Sequence, residues 1–182
     1  MAILKNRQFA IFAMILLIAA GTLIGSHNDL VGMRSKASDI FILGARGDGI
    51  GIQGDLRERG DVAHNMVSLA LKYLPASNAV IENVLLAGET MSKASTVKEK
   101  AAADRKLATA VRDLYDVLSS MELSEQDAKY PQRLYTDFRS RGDTISHDPY
   151  NGAAADFNRT LSAFPAGLLG KLTGVRPLEL FE

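Results

Sequence analysis

At 182 residues the chain is long enough for one domain with a real core and too short for two comfortable ones. Its 21 basic and 21 acidic residues cancel, so no overall field favours nucleic acid, and a nucleic-acid partner is not expected. The lack of cysteine excludes disulfides, thiolate zinc sites and a cysteine nucleophile.

The first element is apolar. After a short basic N-terminus, residues 1–7 with Lys5 and Arg7, the segment 8–27 contains no Asp, Glu, Lys or Arg. A helix of about 20 such residues crosses a hydrocarbon core of about 30 Å, so this segment is predicted to be a transmembrane anchor in contact with the lipid bilayer. A cleaved secretory signal would carry an apolar run of only roughly 7 to 15 residues and a small-x-small cleavage site. Ile18 stands where a small residue should precede Ala20, which favours a retained anchor. Lys5 and Arg7 lie closer to the span than Arg34 and Lys36, which are preceded by Asp29; the N-terminus is therefore expected inside and the folded part on the outer face. His27 ends the span, where an amphipathic ring suits the interface. Gly21-x-x-x-Gly25 has the spacing that lets two membrane helices approach closely, a route to self-association.

Residues 28–182 are expected to form a helical bundle domain. Its outlier is Gly44–Gly54, five glycines in eleven residues, expected to form a flexible, exposed loop because each glycine costs up to about 1 kcal/mol in a helix interior. The Gly49-x-Gly51-x-x-Gly54 spacing after Ile40-Phe41-Ile42-Leu43 resembles a dinucleotide-binding turn. That reading needs a preceding strand and a parallel sheet, and the remaining sequence offers no such strands.

Helical periodicity then dominates. Val62, Met66, Leu69 and Tyr73 form a first stripe that stops at Leu74-Pro75; Val80, Ile81, Val84, Leu85, Gly88 and Met91 form the inner side of a second helix. Leu107, Val111, Leu114, Leu118 and Met121 keep a 4-3-4-3 spacing, with Lys98, Glu99, Asp104, Arg105, Arg112 and Asp113 off the stripe. A fourth helix is predicted from Ser124, answered by Asp127, to Phe164-Pro165, with a break around Ser146–Asn151 caused by Pro149. Arg-Gly-Asp occurs at 46–48, 59–61 and 141–143. The second and third copies fall in predicted helices, and composition accounts for the repeats better than adhesion does.

Groups suited to catalysis are scarce. His27, His64 and His147 are far apart, and none has the partner at i+3 or i+4 that a bundle metal site would need. No Gly-x-Ser-x-Gly elbow is present. Neither cofactor nor metal is expected, and the chain is read as a non-enzyme.

The C-terminal stretch carries a resemblance. Tyr150-Asn151, Asp156-Phe157-Asn158, Phe164-Pro165 and Gly174-Val-Arg-Pro177-Leu-Glu-Leu-Phe181-Glu182 resemble the closing signature of the LemA family of bacterial membrane-anchored proteins. Phe157 replaces a tyrosine of that pattern, Val175 a phenylalanine and Arg176 a lysine. Upstream, His27-Asn28-x-Leu30-Val31-x-Met33-Arg34 and the run from Asp55 through Asn65 to Val67 are similar to the family's opening motifs. The glycine-rich stretch looks like an insertion into what the family makes one long first helix; His64 and Pro149 also depart from the pattern.

The resemblance implies an all-α chain: an N-terminal transmembrane helix followed by an antiparallel bundle of about four helices, in the bacterial inner membrane, without enzymatic activity. Some members are linked to membrane organisation. It makes Asn65, Tyr150, Asn151, Phe157, Asn158, Phe164, Pro165, Pro177 and Phe181 interaction or fold-defining positions, with Phe164 and Phe181 expected to plug the bundle base and Pro165 and Pro177 to fix turns. The leading functional reading is a membrane-tethered scaffold acting through a membrane-protein partner or self-association. The alternative is a ligand- or nucleotide-binding module built on residues 44–54.

Overall fold

The computed structural model describes residues 7–47 and 49–182; Lys5, and Asp48 of the first Arg-Gly-Asp triplet, lie outside them. Among the described residues the chain forms seven helices and no strand: α1 (Arg7–Leu43), α2 (Ile52–Ala70), α3 (Ala79–Lys93), α4 (Val97–Ser120), α5 (Tyr130–Ser146), α6 (Tyr150–Ser162) and α7 (Ala166–Thr173). They belong to two compact units. One contains α1 up to Ser38 with Gly152–Leu178, the other Asp39–Asn151 with Glu179–Glu182.

The apolar segment does not end as a helix at His27. With no proline to stop it, α1 continues through Asp29, Arg34 and Lys36 for 37 residues in all, about 55 Å at 1.5 Å per residue. Gly44 terminates it with φ of 76°, a left-handed conformation that glycine adopts without cost. The chain then doubles back: Gly44 N donates to Ile40 O at 2.9 Å and Gly49 N to Leu43 O at 2.8 Å, satisfying carbonyls at the helix end. A Cβ at Gly51 would lie 2.6 Å from the carbonyl oxygens of Ile40 and Phe41. Two backbone bonds and the close approach at Gly51 join this exposed loop to the end of α1, and it is shorter than expected, since Gln53 and Gly54 are already in α2.

In the unit built on α2 to α5, each helix presents an apolar stripe to one core. Met66, Val67 and Ala70 of α2, Ile81 and Val84 of α3, Leu107, Val111, Leu114 and Leu118 of α4, and Phe138 of α5 are all buried there. The α4 stripe follows the 4-3-4-3 spacing; the α3 stripe differs from expectation, because Ala87 is inside while Leu85 is 48% exposed. A three-residue connection joins α3 and α4, which pack along each other, so they run antiparallel. Their ends are capped by side chains. Asn78 Oδ1 accepts from Val80 N, and Thr96 and Glu99 form a reciprocal capping box at the start of α4.

Ser124 and Asp127 do not open the fourth helix. Ser124 Oγ accepts from Asp127 N at 3.2 Å, but residues 125–129 form turns and α5 starts at Tyr130, with Pro131 in its first turn, where a missing N–H costs nothing. The Asp127 carboxylate is used elsewhere, accepting from Tyr73 OH at 2.8 Å and Lys72 Nζ at 3.0 Å. The expected break is present: α5 ends at Ser146, and Asp148 Oδ1 accepts from Tyr150 N, capping α6 just after Pro149.

In the other unit α7, which the sequence did not disclose, packs against α6 and α1. A Cβ at Gly170 would lie 2.5 Å from Leu161 Cδ1 and 3.8 Å from Leu30 Cδ1, so a bare glycine lets these helices close up. Arg34 Nε donates to Arg176 O at 3.0 Å, tying the chain after α7 back to α1.

Candidate functional site

Three features stand out, and none is a reaction centre. The first is the outer surface of α1, where Phe12, Leu17, Ile18 and Ile24 are each more than 60% exposed. This helix is long and apolar enough to cross a membrane. Gly21 and Gly25 have no neighbour within 4 Å of an added Cβ, which leaves the small-residue face open.

The second is a pair of asparagine clasps on the C-terminal tail. Asn151 Nδ2 donates to Phe181 O at 2.9 Å while its Oδ1 accepts from Phe181 N at 2.7 Å. Asn158 does the same to Leu178, with both bonds at 2.8 Å. Each carboxamide thereby satisfies both backbone groups of one residue, as a neighbouring strand would. The spacing explains the two aromatic-Asn repeats: seven helical residues rise about 10.5 Å, and the three residue steps from Leu178 to Phe181 span about 10 Å when extended. The aromatic partners pack beside them. Tyr150 is buried, donates its OH to Glu179 O at 2.7 Å and sets its ring edge-on to Phe41 at 5.1 Å; Phe181 lies 6.1 Å from Phe41. Phe157 is buried as well.

The expectation for Phe164 is corrected: at 88% exposed it plugs nothing. It precedes Pro165 at the start of α7, where no packed element covers it. Pro165 is exposed and occupies the N-cap position of α7; Pro177 is exposed and leads into the clasped residues. Asn65 is exposed on α2.

The third feature escaped the sequence reading. Arg59 and Asp55 sit on the inner side of α2, in step with Ile52, Ala63 and Met66. Arg59 Nε pairs with Asp104 Oδ1 at 2.7 Å, its Nη1 donates to Phe138 O at 3.1 Å, and its guanidinium lies over the Phe138 ring at 3.9 Å. Arg141 joins Asp55 at 3.2 Å and also meets Glu58. Burial pushes the Arg59 guanidinium below its ordinary value and the Asp104 carboxyl above its own, desolvation outweighing their mutual attraction. A Cβ at Gly142 would overlap Arg59 Nη1. The second and third Arg-Gly-Asp triplets are therefore packing partners: the arginine of one fills the space left by the glycine of the other. The one sequence signal for this cluster was the i, i+4 placement of Asp55 and Arg59 on an apolar stripe.

The glycine fingerprint has no dinucleotide geometry. Ile40–Leu43 is the last turn of α1, not a strand, and the α2 N-terminus already has Asp55 in its first turn, the acid that complements the helix dipole. Among the described residues no group of three or more His, Asp or Glu side chains could hold a metal ion.

These features define a class: an all-helical protein with one helix fit to cross a membrane, followed by a helical bundle whose C-terminal tail is clasped by asparagines. The LemA family model matches residues 50–182, nearly three quarters of the sequence, and the chain belongs to the LemA family. The match takes in α2 to α7 and both clasps, while the His27–Arg34 resemblance lies ahead of it. No curated protein matches the chain significantly.

Proposed function

We propose that the chain is a single-pass protein of the bacterial inner membrane whose bundle serves as a non-enzymatic scaffold for assembling or organising a membrane complex. The observation that carries this reading is the exposed apolar surface of α1 on a helix that continues into charged sequence. Burying such side chains gives roughly 1.5 to 3 kcal/mol each, so a run of them left in water is untenable and lipid is the natural cover. The N-terminus faces the cytoplasm and the bundle the outer side, following the closer cations at Lys5 and Arg7. The buried groups hold structure together: Arg59 is ion-paired with Asp104 and the asparagine clasps bond the C-terminal tail, all within the chain, so helix faces are the surfaces offered to others.

Self-association through Gly21 and Gly25 is part of the proposal, since both glycines are open to close approach. Purification of the full chain in mild detergent tests it. Co-purifying membrane protein or a homo-oligomer weakened by Gly21→Leu with Gly25→Leu is expected; a solitary monomer under all mild conditions contradicts the scaffold reading.

A further inference from the structure

The helix α7 has its apolar residues on the wrong side for a protein surrounded only by water. Leu168 and Leu172, one turn apart on α7, are 55% and 65% exposed, and Phe164, just ahead of the helix, is 88% exposed, while the opposite side of the helix, with Gly170, is the one packed inward. Beside this stripe lies an apolar cleft of about 530 Å³ bordered by Leu161, Leu168 and Val175. Charge follows the same pattern. Between Asp156 and Glu179 there is no acidic residue, and Arg159, Lys171 and Arg176 are all cationic, in a chain whose total charge is zero.

The position of α7 decides what covers it. Gly170 abuts Leu30, three residues after the uncharged run of α1 ends at His27. That is a displacement of about 5 Å along the helix, and helical side chains lean toward the N-terminus, here toward the apolar segment. Arg176, further along the chain, meets Arg34, one turn further out on α1. The helix α7 therefore lies at the level where α1 leaves its apolar stretch.

We propose that α7 is a membrane-surface helix, with Phe164, Leu168 and Leu172 inserted into the interfacial region of the leaflet from which α1 emerges and Lys171 placed among anionic headgroups. The inference rests on the reading of α1 as a bilayer span and adds to it a second, peripheral contact. A short apolar stripe with cations beside it is the pattern of interfacial helices, and here the tether supplies the proximity that so small a stripe would lack alone.

The test uses the full chain, which has no cysteine of its own, in vesicles of phosphatidylcholine and phosphatidylglycerol in equal parts. Single cysteines replacing Leu168, Leu17 or the exposed Ala155 of α6 carry a fluorophore, and doxyl lipids with shallow or deep nitroxides quench it. The inference expects the Leu168→Cys label to be quenched by shallow doxyl lipid at least about threefold more than the Ala155→Cys label, with Lys171→Glu reducing the effect. Quenching of Leu17→Cys by deep doxyl lipid together with a Leu168→Cys signal no greater than that of Ala155→Cys overturns the inference and leaves the span intact. No quenching at Leu17→Cys overturns both. A Leu168→Cys label shielded from water but not quenched by lipid, and responsive to protein density in the vesicle, assigns the stripe to a second copy of the chain and also overturns the inference.

Discussion

Gly60 and Gly142 hold the middle place in the same tripeptide and both lie inside helices, yet their surroundings are opposite. Nothing comes within 4 Å of a Cβ built at Gly60, whereas one at Gly142 collides with Arg59. Ordinarily a flexible arginine tip could swing aside, but this one is held by Asp104, by Phe138 O and by the Phe138 ring. Gly60→Ala should therefore stabilise the protein by up to about 1 kcal/mol through helix propensity, while Gly142→Ala should destabilise it by roughly 1 to 3 kcal/mol through displacement of a buried, hydrogen-bonded charge. Denaturant titration of the two variants checks both signs. Asp127 gives a pH-dependent counterpart. Bonds from Tyr73 and Lys72 hold its carboxyl below the ordinary aspartate range, so its contribution is complete above about pH 4 and is lost as pH falls through the depressed folded value. Asp127→Asn should lower stability at neutral pH, and its gap from the unsubstituted protein should close as the medium is acidified below that range. A gap constant across the acid range would show that the carboxylate charge is not what the pocket uses.

At the scale of elements, what could be read in advance was whatever depends on near neighbours in sequence. The α4 stripe was legible because Leu107, Val111, Leu114 and Leu118 repeat on one helical face, and the α5–α6 break was legible because Pro149 cannot donate. Composition suggested a loop at Gly44–Gly51 but not its shape, which comes from two backbone bonds to α1 and from the near contact at Gly51. The helix start expected at Ser124 was displaced because Asp127 is claimed by Lys72 and Tyr73, more than fifty residues away. The Arg59 cluster was hidden for the same reason, since its members come from three different helices, α2, α4 and α5. The clasps fall between these cases: the repeated aromatic-Asn pairs were visible, but the role of each asparagine as a two-bond bridge to the tail was not. Replacing Asn158 with alanine leaves the Leu178 N–H and C=O without partners and should cost about 1 to 3 kcal/mol. Native-state hydrogen exchange should then show the Leu178 amide losing protection, with the α4 amides changed only as far as global stability falls. Unchanged protection at Leu178 would mean that the clasp does not hold the tail.

For the whole molecule, membership of the LemA family places the helices from residue 50 onward in a shared architecture. The N-terminal helix is the part on which the functional proposal turns, since a scaffold confined to a membrane and a freely diffusing bundle offer the same helix faces to different partners. Partitioning of the full-length protein after alkaline carbonate treatment of membranes tests this most directly. The account predicts that the chain stays in the membrane pellet at high pH, as a lipid-spanning helix requires. Recovery of the intact, full-length chain in the carbonate supernatant would contradict it.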